Sequence, residues 1–482
     1  MKLAGLISAA GLASVAPDAN VTGFAIDHRK VAPGTVFGAF AGTRVNGEDY
    51  IPAAIAAGAV AIVARPEAIV DGAVHIASDE PRRTFARIAA QFFTPVPETI
   101  VAVTGTNGKT STVEMTRQLW RMAGHRSASI GTLGVTTADE SVSTGLTTPD
   151  IVTFLANVSG LAREGISHLA YEASSHGLDQ YRNDGLPVVA GAFTNLSRDH
   201  LDYHLTFGAY FAAKMRLFDD VVRKGGAAVI WADDEWSGRA IEHARARGLT
   251  LVTVGTAGET IRLMTRTPTL LGQTLTCEHA GRTRTFTLPL IGAYQAANAL
   301  VAAGLVLATG GDGDRTFEAL ARLQPVRGRL ERAAINAAGA PVYVDYAHTP
   351  DALIAACDAL RPHVKGRLIL VFGAGGDRDT GKRAPMGAAA VAGADVVIVT
   401  DDNPRGEDPA AIRAEVMAGC NGEARDIADR RTAVTVAIAE AKAGDIVLIA
   451  GKGHEQGQII GRGEATRVLP FDDVAVAREC TA

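Results

Sequence analysis

One run of this chain has the makeup of a phosphate site. In Gly105-Thr-Asn-Gly108-Lys109-Thr110-Ser111, small residues let backbone N–H groups close on phosphate oxygens, a lysine meets their charge and a hydroxyl suits Mg²⁺. Gly105, Thr106, Asn107, Gly108, Lys109, Thr110 and Ser111 are therefore the candidate nucleotide contacts. A strict form of the loop carries glycine at 103, where this chain has Val103. The run specifies a nucleotide and leaves kinase, motor and switch open. A second Gly-rich run, Gly373-Ala-Gly375-Gly376-Asp377-Arg378, lacks dinucleotide spacing because Arg378 stands where the third glycine belongs. It reads instead as a cationic loop for an anionic ligand.

Such a loop needs a strand that delivers it and a helix that leaves it. Ile100–Val103 reads as a buried strand, 105–109 as the loop and Thr112–Met122 as the helix. Apolar strands at His168–Tyr171, Val188–Phe193 and Ala227–Ile230 continue an α/β alternation. Three later strands, Leu368–Phe372, Val396–Thr400 and Ile446–Ala450, each run into a Gly- or Asp-rich loop, and ligands of parallel sheets bind beyond the carboxyl ends of the strands. At 482 residues, the chain has room for about three domains. The prolines of Thr94-Pro-Val-Pro97 favour an extended connector, and a Gly/Ala turn follows Arg332. Those features predict a smaller N-terminal α/β domain over 1–98, a central mononucleotide-binding α/β domain over 99–332 and a Rossmann-like α/β domain over 333–482.

Charge and cysteine usage exclude other classes. Lys+Arg 47 against Asp+Glu 52 gives −5, so no global basic field exists to hold nucleic acid. Cys277, Cys357, Cys420 and Cys480 form no C-x-x-C pair, which fits a reducing compartment better than a disulfide framework. Leu3, Leu6, Ile7 and Ala10 fall at helical spacing and predict a packed amphipathic helix rather than a signal peptide. No strongly apolar stretch reaches the roughly 20 residues of a membrane span. A cytoplasmic enzyme is expected.

Several motifs, taken together and in order, resemble the Mur ligases of peptidoglycan synthesis. They are the phosphate loop, Thr147-Thr-Pro-Asp150, Tyr171-Glu-Ala-Ser-Ser-His-Gly-Leu178, Asn195 to His200, Val344-Asp-Tyr-Ala-His-Thr-Pro350, Asp402-Asn-Pro-Arg405 and Gly451-Lys-Gly-His-Glu455. The resemblance spans essentially the whole chain and accounts for the short phosphate loop. It implies an amide bond driven by ATP and Mg²⁺, in which a substrate carboxylate takes the γ-phosphoryl group and an amine attacks the acyl phosphate. It also implies that Thr110, Glu172 and His200 ligate Mg²⁺ and that Lys109 and Lys214 act in catalysis, Lys214 as a carbamate. Asn298, Arg329 and Asp345 would lie on the adenosine side. His200 and His204 at i, i+4 could instead suggest zinc, but no third soft ligand is near in sequence.

The same resemblance assigns the remaining substrates. Thr147, Thr148, Ser174, Gln180 and Arg182 match contacts to UDP-N-acetylmuramoyl-L-alanyl-D-glutamate, with His28 near the uridine. Relatives carry Asp-Ser-Arg where this chain has Asp27-His28-Arg29, and the loop 42–47 and Leu146 also differ. Asp402, Asn403, Pro404, Arg405, Arg378, Gly451 and Glu455 match a pocket for meso-2,6-diaminopimelate, whose distal carboxylate Arg405 would bind. The expected partners are those two substrates, and a monomer is expected. A lysine-adding or folyl-polyglutamate-type ligase and a non-ligase P-loop ATPase are the competing readings.

Overall fold

The structure, a computed structural model, describes residues 1–12, 19–42, 45–142, 147–269 and 272–481; Thr43, Arg44 and Leu146 lie outside the described residues. Its strands form sheets of four, eleven and six, with a separate two-stranded hairpin. In the central sheet the strand Thr99–Thr104 lies between His168–Glu172 and Val188–Phe193, parallel to both. Five of its six residues are buried, as an apolar run requires when helices cover both faces of a sheet. Val103 pairs with Glu172 and Thr104 with Phe193. The loops after these three strands therefore open at one edge.

The helix behind the phosphate loop spans Lys109–Met122, so it begins three residues earlier than the apolar pattern predicts. Gly108 is the reason. Its left-handed backbone, φ 87°, turns the chain straight from the loop into the helix, a conformation that glycine adopts without steric cost. Antiparallel strands widen both edges of this sheet, Gly134–Thr136 and Ser141–Val142 on one side and the meander of Ile261–Thr269, Gly272–His279 and Arg282–Leu288 on the other. Those edge strands carry none of the sequence motifs.

The four N-terminal strands, Gly23–Ala25, Thr35–Gly38, Ala61–Ala64 and Val74–Ala77, are all parallel. The helix Leu3–Ala9 packs on the helix Pro81–Phe92 with Leu3, Leu6 and Ile7 buried, the face their spacing predicts. Arg83 ties this unit to the central one through Asp184 and Asp220.

The third sheet begins with Glu331–Ile335 antiparallel to Pro341–Asp345. A division after Arg332 therefore cuts two residues into that strand; the Gly/Ala turn that suggested it is the hairpin between the two strands. Ile446–Ala450, Leu368–Phe372, Val396–Val399 and Ala424–Asp426 continue the sheet in parallel. Cys277, Cys357 and Cys420 are buried and Cys480 is partly exposed. Among the described residues, no helix is long and apolar enough to cross a membrane.

A buried ion pair supports the C-terminal sheet. Arg430 donates through Nε and Nη2 to the two carboxylate oxygens of Asp473, at 2.8 and 2.7 Å, and through Nη2 to the Ala450 carbonyl at 2.9 Å. Both side chains are excluded from solvent. Removing one partner of such a pair strands the other charge, so Asp473→Ala is expected to lower stability by about 3–5 kcal/mol, read as a shifted urea unfolding transition.

Candidate active site

The loops after the central and C-terminal strands face each other across one cleft of about 1940 Å³. On the central side the phosphate loop is held from behind. Asn195 Oδ1 accepts from the Asn107 N–H at 2.8 Å, while the Thr194 hydroxyl and Asn195 Nδ2 donate to the Asn107 carbonyl at 2.7 and 3.1 Å. Close approach and positive φ favour glycine at two positions here. A Cβ on Gly105 would lie 1.9 Å from Thr194 Oγ1, and one on Gly108 would lie 2.3 Å from Asn298 Oδ1. Asn298 thus touches the loop directly, and Gln295 links it to the Arg329 carbonyl through two further hydrogen bonds.

Lys109 donates through Nζ to the carbonyls of Gly105 and Thr106, at 3.0 and 2.8 Å. Lys214, 1% exposed, donates to the same Gly105 carbonyl at 2.7 Å and lies over the Tyr210 ring. Burial and then the neighbouring Lys109 charge hold the Lys214 ammonium well below the ordinary lysine range. Burial likewise lowers Lys109, with Glu172 and Asp199 opposing the shift. Glu172 is buried at its strand end, accepting from the Thr132 N–H at 2.7 Å and the Thr132 hydroxyl at 3.0 Å. Its approach is possible because residue 131 is glycine; a Cβ there would lie 2.2 Å from Glu172 Oε1.

From the C-terminal side, Arg329 reaches Thr110 Oγ1 at 3.0 Å and lies over the Tyr346 ring. Asp345, at the end of its strand, accepts backbone N–H bonds from Leu330 and Ala347 at 2.6 and 2.8 Å. Burial raises its carboxyl, against the Arg329 charge. Asp345 therefore fixes the segment that carries Arg329 as well as lining the cleft.

At the far end, Arg405 has a left-handed backbone, φ 51°, and directs Nη1 to the Gly376 carbonyl at 2.9 Å. Among the described residues, neither Arg405 nor Arg378 has a carboxylate within ion-pair distance. Burial and the charge of Arg378 both lower Arg405. Below them Lys452, fully buried, donates to Asn403 Oδ1 at 2.9 Å and to Glu455 Oε2 at 3.3 Å, with Asp402 at 3.7 Å. Burial would raise Asp402, but Lys452, Arg430 and Arg405 outweigh it and hold the carboxylate ionised. Glu455 is raised, by burial and by Asp402.

Not every predicted contact lines the cleft. Thr147, Ser174 and Gly451 do. The Thr148 hydroxyl instead bonds the Glu172 carbonyl at 2.9 Å, and Arg182 spans from the Thr148 carbonyl to Gln180 Oε1. All three are hydrogen-bonded to protein atoms, with Gln180 and Arg182 half-buried, and Ser174 also caps the short helix Ser175–Asp179. Pro404 shapes the loop before Arg405 without facing the cleft. His28 stacks on Tyr50, 4.3 Å between centroids, within the N-terminal unit. Sequence reasoning passed over Thr132, Asp199, Lys382, His348 and Lys452. Asp199, His348 and Lys452 lie inside the sequence motifs; Thr132 and Lys382 carry no sequence signal.

Among the described residues, no three of His, Cys, Asp and Glu are arranged to hold a metal ion by themselves. Glu172, Thr110 and His200 line the cleft together, and Glu172 has no cation within ion-pair distance among the described residues. This mainly oxygen donor set fits Mg²⁺, which keeps waters and phosphate oxygens in its shell.

Family models match three successive segments: "Mur ligase family, catalytic domain" over residues 20–92, "Mur ligase middle domain" over 103–306 and "Mur ligase, glutamate ligase domain" over 328–453. The chain is similar to the UDP-N-acetylmuramoyl-L-alanyl-D-glutamate--2,6-diaminopimelate ligases of Zymomonas mobilis, 61% identical over 99% of this chain and 98% of that one, and of Bradyrhizobium diazoefficiens, 53% identical over 94% and 93%. A solved structure of a ligase of that name superposes with a TM-score of 0.72 at 33% identity, covering 100% of this chain and 98% of that chain.

The left-handed glycine at the loop-to-helix turn yields a test. Gly108→Ala adds a Cβ both against Asn298 and at φ 87°, so nucleotide affinity by calorimetry is expected to fall by about 5- to 150-fold, as about 1–3 kcal/mol of backbone strain implies.

Proposed function

Because the chain belongs to the Mur ligase family, we infer that this cleft is the site where its three substrates meet. The protein is an ATP-dependent acid–amino-acid ligase that adds meso-2,6-diaminopimelate to UDP-N-acetylmuramoyl-L-alanyl-D-glutamate in peptidoglycan synthesis. We propose in addition that it works in the cytoplasm as a monomer. One observation supports the residue assignment above all. Two closely placed lysines stand at one end of the cleft and two guanidiniums without carboxylate partners at the other, which suits a triphosphate at the first end and an acceptor bearing an extra carboxylate at the second.

In this reading the phosphate loop binds ATP through its backbone N–H groups, and Lys109 exchanges its carbonyl partners for phosphate oxygens. Asn298, Arg329 and Asp345 hold the adenosine side. Glu172, Thr110 and His200 would hold Mg²⁺, which when bound offsets negative charge on the phosphates. The substrate carboxylate attacks the γ-phosphorus, the bond to the ADP oxygen breaks and an acyl phosphate results. The diaminopimelate amine then attacks the acyl carbon and phosphate leaves. Arg405 and Arg378 pair with the distal carboxylate of the acceptor. Asp402 and Glu455 face its ammonium, where a neighbouring cation favours the ionised form of Glu455.

Lys214 becomes useful through its suppressed charge. A neutral amine adds to CO₂, forming an N–C bond and releasing one proton, which converts a potential cation into an anion beside the phosphate loop. Because the folded protein lowers the lysine pKa, the neutral amine predominates at a lower pH than the roughly 10.4 of a free lysine. With ¹³C-bicarbonate, a carbamate resonance is expected to grow as pH rises, with a midpoint below that value, and to be missing in Lys214→Ala; a resonance indifferent to that substitution would remove Lys214 from the mechanism.

The assignment as a whole is tested by phosphate release from ATP with UDP-N-acetylmuramoyl-L-alanyl-D-glutamate, comparing meso-diaminopimelate with L-lysine. Release should depend strongly on diaminopimelate. Release with lysine alone would overturn the acceptor pocket, and release indifferent to both would overturn ligation. Arg405→Ala should raise the diaminopimelate KM by about 10- to 100-fold, the factor a charge-assisted hydrogen bond of about 1.5–3 kcal/mol supplies, while nucleotide affinity stays unchanged.

A further inference from the structure

Two ion pairs of opposite polarity cross the cleft side by side. Arg198 Nε lies 3.4 Å from Asp379 Oδ2, and the next residue along, Asp199, has Oδ1 3.8 Å from Lys382 Nζ. On the C-terminal side both partners belong to one short turn. Asp379 caps Thr380–Lys382 by accepting from the Gly381 N–H at 2.9 Å, so its carboxylate is held in place before Arg198 arrives. Gly381 completes the fit: a Cβ there would lie 2.5 Å from Arg198 Nη2, so the guanidinium lies directly on the turn. A positive–negative pair meeting a negative–positive turn matches in one register only, because a slip would oppose like charges.

The side chains involved are little exposed for charged groups, with Asp379, Asp199 and Lys382 at 11, 9 and 7% and only Arg198 half in solvent. Lys382 has no other carboxylate within ion-pair distance among the described residues. Arg198, Asp379 and Gly381 contact neither the phosphate loop nor the acceptor pocket, yet their chain neighbours do. Arg378, which lines the cleft, precedes Asp379, and Ser197, whose N–H donates to the Thr106 hydroxyl at 3.0 Å, precedes Arg198.

We propose that Arg198–Asp379 and Asp199–Lys382 form a charge clasp that positions the acceptor turn over the activated carboxyl, so that the amine reaches the acyl carbon and water does not. The proposal rests on the ligase reading of the cleft. Phosphoryl transfer draws on the central side and survives loss of the clasp. With the clasp open, water adds to the acyl carbon, the bond to the phosphate oxygen breaks, the original carboxylate is regenerated and phosphate departs, with the surplus proton going to solvent. The signature is phosphate released without amide formed, because exclusion of water is what a closed site supplies to a reactive acyl group. Arg198, Asp379 and Lys382 are positioning residues in this scheme.

The test counts phosphate and amide product in the same reaction with the full-length chain, ATP, the UDP-sugar peptide and meso-diaminopimelate. The wild-type ratio is expected near one. Arg198→Glu should raise it by about two- to fivefold, the factor that a partly exposed ion pair supplies, and Gly381→Ala should raise it too by displacing the guanidinium. Arg198→Lys keeps the charge and should restore most of the coupling. A ratio that stays near one in both Arg198→Glu and Gly381→Ala would overturn the clasp, as would equal uncoupling by Arg198→Lys and Arg198→Glu. Failure of the ligase reading shows elsewhere, in wild-type phosphate release indifferent to acceptor, and would take the clasp with it.

Discussion

Two lysine ammoniums share one backbone carbonyl, that of Gly105, and much of the central site follows from that arrangement. A single neutral oxygen cannot balance two cations in a poorly solvated place, so the pair is tolerable only with suppressed protonation or with an anion nearby. Both outcomes serve the chemistry. Lys109 faces the cleft and is available to phosphate, whereas Lys214 is buried against Tyr210 and driven towards the neutral amine. The glycine that carries the shared carbonyl is fixed by its packing on Thr194, so the position of both charges is set by the strand pair Thr99–Thr104 and Val188–Phe193.

The C-terminal sheet solves a different problem with the same geometry. Its parallel strands end together at Asp345, Phe372, Val399 and Ala450, and each ending places a polar loop at the cleft. Here charge is balanced internally at depth and left unbalanced at the mouth. Lys452 meets Asn403, Glu455 and Asp402, and Arg430 meets Asp473, while among the described residues Arg405 and Arg378 have no carboxylate partner. Deep neutrality makes the mouth selective, since a ligand there must supply the missing anion.

The sequence made the strand-to-loop transitions legible because buried parallel strands are continuous apolar runs and the loops after them are glycine-rich. Gly105 to Ser111, Glu172, Arg405 and Glu455 were found in this way or through motif order. What stayed hidden depends on distance in space. Thr132 matters only because Gly131 lets Glu172 approach, and Lys382 only because the cleft brings Asp199 opposite it; neither relation leaves a periodic trace. Thr148, Gln180 and Arg182 match substrate contacts by motif, and in this structure their hydrogen bonds go to protein atoms. A polar residue looks the same in sequence whether its partner is a ligand or a carbonyl.

The cysteines carry a consequence of their own. Burial pushes the thiols of Cys277 and Cys357 up to about 12 and raises that of Cys420, so thiolate, the reactive form, is scarce at all three. Cys480, at the C-cap of the helix Asp473–Glu479, is partly exposed, with the Thr435 hydroxyl 3.3 Å from its sulfur. Of the four thiols, that of Cys480 is thus the one accessible to electrophiles, at the end of the helix that buries Asp473. A fluorophore attached there would ride on the C-terminal sheet, and its movement relative to Trp120 or Trp236 in the central unit would report opening and closing of the cleft without any engineered cysteine.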